Sequence, residues 1–554
     1  MKLYAIRDIN SGEPFGAPKF FCVPLATKIF LRKGLNVLDS LFFAALAPII
    51  WLIIALIVLK LPAYQACSVA LIVSFIVASS VFGMPYQDTL TAALEGGTLA
   101  IWPIIWVIIS AIFTYNLSVF TKGIETIKEI LNSVSTDQRV IVLLIAWGFG
   151  GFLECMSGFG TAVAIGASML VSIGLNPISA ISVCLLANAV QSSYGSIGLP
   201  LTTLAQLTGF EGSQIATFAT VQLGFMLIIM PFLMVVVFGQ SLKALKGMIT
   251  VCLISGFGFL LPSLFAAYFM GEGLSGVAGA IISMGLIIAY AKMFPVKDPE
   301  YQIPVAAEKS DITFEKGVKA WLPFILIFVF LILTSKLVPP VNEFLSQIKT
   351  SVMIYTGENA GPYTFTWIAT PGTLIMTSAI ISGFVQGASV KDMLSVLNRT
   401  VKTLIPTFIT MITIIGTARV MGYSGMITTM ATTTVAATGT FYPAISPLIG
   451  AAGSFITGSA TTSGVLFGKL QADSALVIGA SSIGQAWLAA ANAAGACVGK
   501  IISPQSIAIG VAAVGLRGVE SQIMSFALKV FLPFIILMGG VVYFGLSVVD
   551  NVAG

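Results

Sequence analysis

Three ionisable side chains stand where long apolar stretches should exclude them: Glu154, Arg419 and Lys500. A charge at the centre of a membrane helix costs about 2.5–3.5 kcal/mol on insertion scales, so each marks a candidate functional site. Glu154 lies just before the run Ser157-Gly158-Phe159-Gly160, and the chain contains no histidine. That absence removes His-ligated zinc or haem, Ser-His-Asp chemistry and histidine proton relays. Glu154 is then the leading reversible proton carrier, because desolvation disfavours the charged form of a carboxyl. A structural salt bridge or a helix cap would account for it equally well. Lys500 can meet a substrate carboxylate or pair with Glu154; the alternative is snorkelling toward an interface. Arg419 carries the planar fork that grips carboxylates and is a candidate carboxylate partner. Its place late in an apolar run tilts the balance toward simple contact with headgroups.

Uncharged polar residues gather in four places. Ser157, Gly158, Gly160 and Thr161 form one group, and Ser459, Thr461, Thr462 and Ser463 a second. Asn188, Gln191, Ser192, Ser193 and Tyr194 form the third, with Asn492, Ser503 and Gln505 in the fourth. Exposed amides at half-helix N-termini attract anions, and freed carbonyls suit cations. Any one small residue more often serves helix packing; the clustering points to a substrate site.

The elements that hold these residues follow from composition. The 554 residues are 57% hydrophobic and 9% charged, with a mean hydropathy of +1.00. This rules out a water-soluble domain, a disordered chain, a disulfide scaffold and a nucleic-acid binder. The six cysteines are scattered singly and read as free, mostly buried thiols, so neither a metal nor another cofactor is expected. Runs of bilayer length occur near 38–60, 64–83, 96–119, 178–205, 213–238, 247–270, 274–294, 317–338, 367–388, 401–422, 475–510 and 524–548. The expected fold is an all-α polytopic membrane protein with about 12 transmembrane spans and two re-entrant hairpins. The hairpins, 140–175 and 442–471, are each broken in the middle by small residues.

Charge placement orients the chain. Loops on one side collect residues from Lys60 and Lys122 to Lys402 and Lys529, whereas 84–95, 206–213 and 271–273 hold no Lys or Arg and 339–366 holds only Lys349. The rich side is cytoplasmic by the positive-inside rule, and both termini lie outside. Residues 1–37 carry six cations on the nominally outer side and read as an interfacial tail, with a missed crossing as the alternative. A first repeat over 38–238 (hairpin 140–175, interrupted span 178–205) precedes linker spans and a cytoplasmic loop over 239–316. A second repeat over 317–554 has its hairpin at 442–471 and its interrupted span at 475–510. Five crossings per half with an even linker make the repeat inverted in topology, and paired interrupted segments point to a midplane binding site. A separate crossing at 424–440 would break that parity.

Thr136-Asp137-Gln138-Arg139 leading to Phe152-Leu153-Glu154 and Gly158-Phe159-Gly160 resembles the L-lactate permease family of bacterial inner-membrane carboxylate transporters. The run Gly499-Lys500-Ile501-Ile502-Ser503-Pro504-Gln505-Ser506-Ile507-Ala508, followed by Ala512-Ala513-Val514-Gly515, is similar to the family's second signature. The resemblance covers about 38–548. It implies uptake of small 2-hydroxy monocarboxylates such as L-lactate and glycolate by proton symport across the inner (plasma) membrane. It also implies an elevator-type fold of the ion-transporter superfamily. The partners are then a carboxylate anion, a proton or sodium, and the lipid bilayer; a homodimer is one candidate assembly. The chain departs from the family pattern at Glu154-Cys155-Met156-Ser157, at Ser459-Ala460-Thr461-Thr462, which lacks the family's carboxylate, and at the more polar Gln191-Ser192-Ser193-Tyr194. Those departures leave open a sodium-coupled carrier or one for more polar organic anions. A passive channel is a further alternative. An intramembrane enzyme would need acid clusters or a nucleophile–base pair that the sequence does not offer.

Overall fold

A computed structural model describes residues 40–554 apart from 159, 297, 303–311, 336, 359 and 554. The interfacial tail expected at 1–37 lies outside the described residues. The first half runs through α1 (Ser40–Ile53), α2 (Ala63–Ser80), α3 (Tyr86–Leu99), α4 (Trp106–Phe120) and the short α5 (Gly123–Asn132). Then come α6 (Gln138–Val142), α7 (Gly150–Ser157), α8 (Thr161–Ser172), α9 (Pro177–Gln191), α10 (Gly195–Thr208) and α11 (Gly212–Gly239). The linker pair is α12 (Ile249–Phe269) and α13 (Glu272–Met293). The second half comprises α14 (Phe314–Leu333), α15 (Pro339–Ser346), β1 (Lys349–Val352), β2 (Tyr363–Thr366), α16 (Pro371–Val385), α17 (Val390–Tyr423) and α18 (Met426–Thr438). It ends with α19 (Tyr442–Thr457), α20 (Ala460–Val477), α21 (Ser482–Lys500), α22 (Pro504–Ala513) and α23 (Glu520–Ala553).

Helices dominate because lipid offers no partner for a bare backbone amide. The one sheet among the described residues is the antiparallel pair β1–β2, with Lys349 opposite Thr366 and Val352 opposite Tyr363. Among the described residues, ten helices are long and apolar enough to cross a bilayer, or eleven if a bent pair counts as one span. Nine of them coincide with expected spans. The remaining three expected spans are broken or short: 178–205 divides into α9 and α10, 367–388 shrinks to the 15 residues of α16, and 475–510 becomes α21 and α22, bent by 45°. The tenth long helix, Gln138–Ser157, is the first arm of the first hairpin and is wholly buried in protein. Apolar length alone does not tell a lipid-facing span from a protein-wrapped arm.

The segment 424–440 forms α18, whose 13 residues reach only about 20 Å. That falls short of a ~30 Å hydrocarbon core. It precedes the second hairpin just as the short α5 precedes the first. Both hairpin turns rest on glycine: Gly158 has φ +64° and Gly458 φ +70°, a region that L side chains rarely adopt. Ser459 then caps α20, accepting the Thr462 amide on its hydroxyl.

The buried side chains divide into two large apolar clusters. One joins the first hairpin, both interrupted helices, the linker pair and α23, around Trp147, Tyr194, Phe259, Trp487 and Met538. The other joins α1, α2, α3, α17 and α18, and takes in Leu199 and Leu207 of α10 with Val465, Leu466, Phe467 and Leu470 of α20. Thus α10 and α20 run along the seam between the clusters.

Candidate functional site

Two residues 346 positions apart meet at the centre of the first cluster. Lys500, the last residue of α21, donates from Nζ to Glu154 Oε1 at 3.1 Å, with the side chains 8% and 2% exposed. The second carboxylate oxygen, Oε2, has no hydrogen-bond partner. Gly195 keeps the approach open: a Cβ there would stand 3.2 Å from Oε1. Of the alternatives for Lys500, the geometry takes the pair with Glu154 and not an interface.

The broken backbones surround this pair. In the first interrupted helix, Ser192–Tyr194 form a 3-10 turn, and then Ser196, Ile197 and Gly198 all adopt positive φ. Two consecutive non-glycine residues in the left-handed region cost roughly 1–2 kcal/mol each, so the surroundings must impose them. Ser196 does part of this by donating its hydroxyl to the Ser157 carbonyl at 2.9 Å, which ties the break to the tip of the first hairpin. Ser193 donates to the Ala493 carbonyl at 2.9 Å and lies 3.0 Å from Cys497 Sγ, while Ser192 donates to its own helix at Ala189. The two interrupted helices therefore touch at their middles. Tyr194 points elsewhere, donating to Thr220 of α11 at 3.0 Å.

At the second break, Ser503 is fully buried and caps α22. Gln505 leans on the second tip, where a Cβ at Gly458 would lie 2.1 Å from its Oε1. The first tip reaches the same half-helix, with Gly160 against Ile509. Thr461 and Thr462 are buried in the first turn of α20 behind the half-buried Ser459. Asn492 sits opposite Ser463, its Nδ2 3.5 Å from the hydroxyl. Three buried amide atoms on the broken helices, Asn188 Nδ2, Gln191 Oε1 and Asn492 Oδ1, lack partners. One donor and two acceptors thus remain unspent near the crossing of the broken helices, where unmade hydrogen bonds are costly.

Arg419 does not join this group. Its Nε lies 3.3 Å from Glu95 Oε1, with side chains 20% and 7% exposed. Tyr423 donates to the same carboxylate at 3.0 and 3.2 Å and stacks on Tyr355 at 3.9 Å. Burial, then the neighbouring Asp88, Glu95 and Glu358, pushes the Tyr355 phenol up to about 12, so it stays a neutral wall. Glu95 is not among the residues the sequence singles out, because 84–95 reads as a loop. The helical spacing of Thr89, Ala92, Glu95 and Leu99, all buried, was the available signal.

Asp137 and Arg139 were likewise read only as a motif and a loop charge. Both are fully buried, with Arg139 Nη2 2.7 Å and Nε 3.1 Å from the Asp137 carboxylate. The same guanidinium donates to the carbonyls of Ala244 and Lys246 and lies 4.3 Å over the Tyr301 ring. It pins the base of the first hairpin to the loops that flank the linker pair.

Membrane-spanning helices in this number, with polar breaks and a buried ion pair gathered inside them, define a multi-pass membrane transporter. A sequence profile of the family described as L-lactate permease matches residues 41–549, and the chain belongs to that family. It is 42% identical over 431 residues to an L-lactate permease of Streptococcus iniae, covering 78% of this chain and 90% of the relative. The glycolate permease GlcA of Escherichia coli K12 is 32% identical over 547 residues, covering 93% and 96%. An L-lactate permease of Bacillus subtilis 168 is 32% identical over 552 residues, covering 92% and 97%.

Proposed function

We propose that this protein is a secondary active carrier that takes up small 2-hydroxy monocarboxylates, L-lactate and glycolate, with a symported proton. It moves its substrate without altering it chemically. The observation that carries the reading is the buried Lys500–Glu154 pair. The pair is neutral as it stands. A substrate carboxylate that takes Lys500 leaves the site with one uncompensated negative charge, and a proton on Glu154 restores neutrality. Substrate and proton are thereby linked by charge balance. Asn188 and Asn492 supply a donor and an acceptor for the carboxylate and the 2-hydroxyl, while Ser157, Ser459, Thr461, Thr462, Ser503 and Gln505 surround the substrate between the tips and breaks.

Both halves share one element order: long helix, short helix, hairpin, broken helix, long helix. With α18 too short to cross, the even linker leaves the two halves inverted. Contacts at the hairpin bases support the same reading. Arg139 fastens one base to the Lys-rich loops, and Asp550 at the far end of α23 accepts from Ser481 beside the other. In this carrier the first apolar cluster moves against the second along the α10 and α20 seam.

The test is uptake into proteoliposomes of lactate, glycolate and more polar hydroxy acids, with and without an inward proton gradient. The wild type should accumulate lactate when the outside is acidic. Glu154→Gln should lose that accumulation and its pH dependence while retaining exchange of labelled for unlabelled lactate. Normal accumulation by Glu154→Gln would sink the proton assignment. Uptake that follows sodium and not pH would move the coupling to sodium.

A further inference from the structure

The Glu95–Arg419 pair lies at the opposite end of α10 from the Lys500–Glu154 pair. The 14 residues of α10 begin at the break beside Ser157 and finish near the Gln206 carbonyl, a run of roughly 20 Å. Arg419 Nη2 donates to that carbonyl at 3.4 Å. Late carbonyls of a helix have no partner within it and attract cations. Arg419 thus stands on α17, in the second cluster, and reaches across the seam to α10.

Its hold there is incomplete. Nε is buried near Glu95 without a well-formed hydrogen bond, and the contact with Gln206 is at the limit of bonding distance. Two polar atoms on α10 beside it, Gln206 Oε1 and Thr203 Oγ1, have no partner, and Thr203 is fully buried. With Leu199 and Leu207, they occupy one stripe of the helix, at i, i+4, i+7 and i+8, facing the second cluster. The mount is rigid. Next to Glu95, a Cβ at Gly96 would stand 2.6 Å from Gly416 Cα, so α3 and α17 touch backbone to backbone one turn from Arg419. The short connections at this end (81–85, 209–211, 270–271, 424–425 and 478–481) contain no Lys or Arg and the long 334–370 connection only Lys336 and Lys349, which makes it the outer face.

We infer that Arg419 is a second carboxylate-recognition residue, placed at the outer mouth of the carrier, where its guanidinium exchanges the Gln206 carbonyl for the substrate carboxylate. Glu95 and Tyr423 hold the guanidinium in position without saturating its five donors. The unpaired Thr203 and Gln206 then offer the anion polar contacts along α10 toward Lys500. This inference rests on the reading of the protein as a carboxylate carrier, and it adds sidedness: Arg419 serves the substrate arriving from outside and not the one arriving from the cytoplasm.

The experiment compares lactate transport in right-side-out and inside-out membrane vesicles. Arg419→Gln should raise the half-saturating lactate concentration at the outer face by about tenfold or more, the loss of one charged hydrogen bond. The value at the cytoplasmic face should stay at the wild-type level, and microscopic reversibility then requires the ratio of the maximal inward to the maximal outward rate to rise by the same factor. Arg419→Lys, which keeps the charge, should recover part of the outer affinity. Raising ionic strength should weaken outer affinity in the wild type and much less in Arg419→Gln. Equal shifts at both faces, or a fall in maximal rate alone, would make the pair a structural clasp and overturn the inference. If Arg419→Gln fails to fold, the charge-balanced Glu95→Gln/Arg419→Gln variant gives the same readout. A wild type that carries no monocarboxylate would defeat the underlying reading; a normal wild type with an Arg419→Gln variant unchanged at both faces would defeat this inference alone.

Discussion

Lys500 and Glu154 illustrate how unequal the consequences of changing a buried ion pair can be. Removing one partner strands a charge in a site with little water, at a cost of about 3–5 kcal/mol, whereas removing both can be nearly neutral. Lys500→Met should therefore lower the thermal midpoint in detergent sharply. Glu154→Gln/Lys500→Met should recover most of it yet transport nothing. If the double variant melts as low as the single one, the pair contributes packing that charge does not explain. The residue types at both positions were legible in the sequence, because charges inside apolar runs are few. Their meeting was not, since 346 positions separate them and only the crossing of the broken helices brings them to 3.1 Å. Glu95 was missed for a local reason: its helix begins earlier than the apolar run does.

The hairpins and interrupted helices were visible as apolar segments with Gly, Ser and Thr at their centres. Hidden in the sequence was how closely the second pair packs. A Cβ at Gly495 would lie 2.0 Å from the Pro447 carbonyl oxygen, and one at Gly499 2.1 Å from that of Ala451. The four-residue spacing places both glycines on the face of α21 that meets α19. Gly495→Ala must push these helices apart and should cost about 1–3 kcal/mol of stability with a parallel loss of transport. Gly285→Ala, on a part of α13 where a Cβ would meet nothing within 4 Å, is the control and should be neutral or slightly stabilising. Thermal melts of both variants decide the matter; equal losses would mean that the close approach is not what these glycines provide.

The two apolar clusters, read as bodies that slide on one another, make a prediction for the whole molecule. Thr428 on α18 donates to Asp473 on α20 at 3.4 Å across the seam, whereas Ser168 on α8 and Ala513 on α22 touch at 3.0 Å within the first cluster. Cysteines placed at 428 and 473 and joined by a short thiol cross-linker should arrest lactate transport. The same treatment at 168 and 513 should leave it intact. Transport that survives the first cross-link would rule out motion along this seam. The sequence by itself determined that the chain lives in a membrane, which side its cationic loops favour, where its helices break and which charges are out of place. These follow from composition and local periodicity, which act over a few turns of helix. Only the tertiary structure decided that one long apolar helix is a buried hairpin arm, that Lys500 answers Glu154, and that Arg419 answers Glu95. Those outcomes depend on contacts between distant segments, where the cost of an unpaired charge selects partners that no local pattern names.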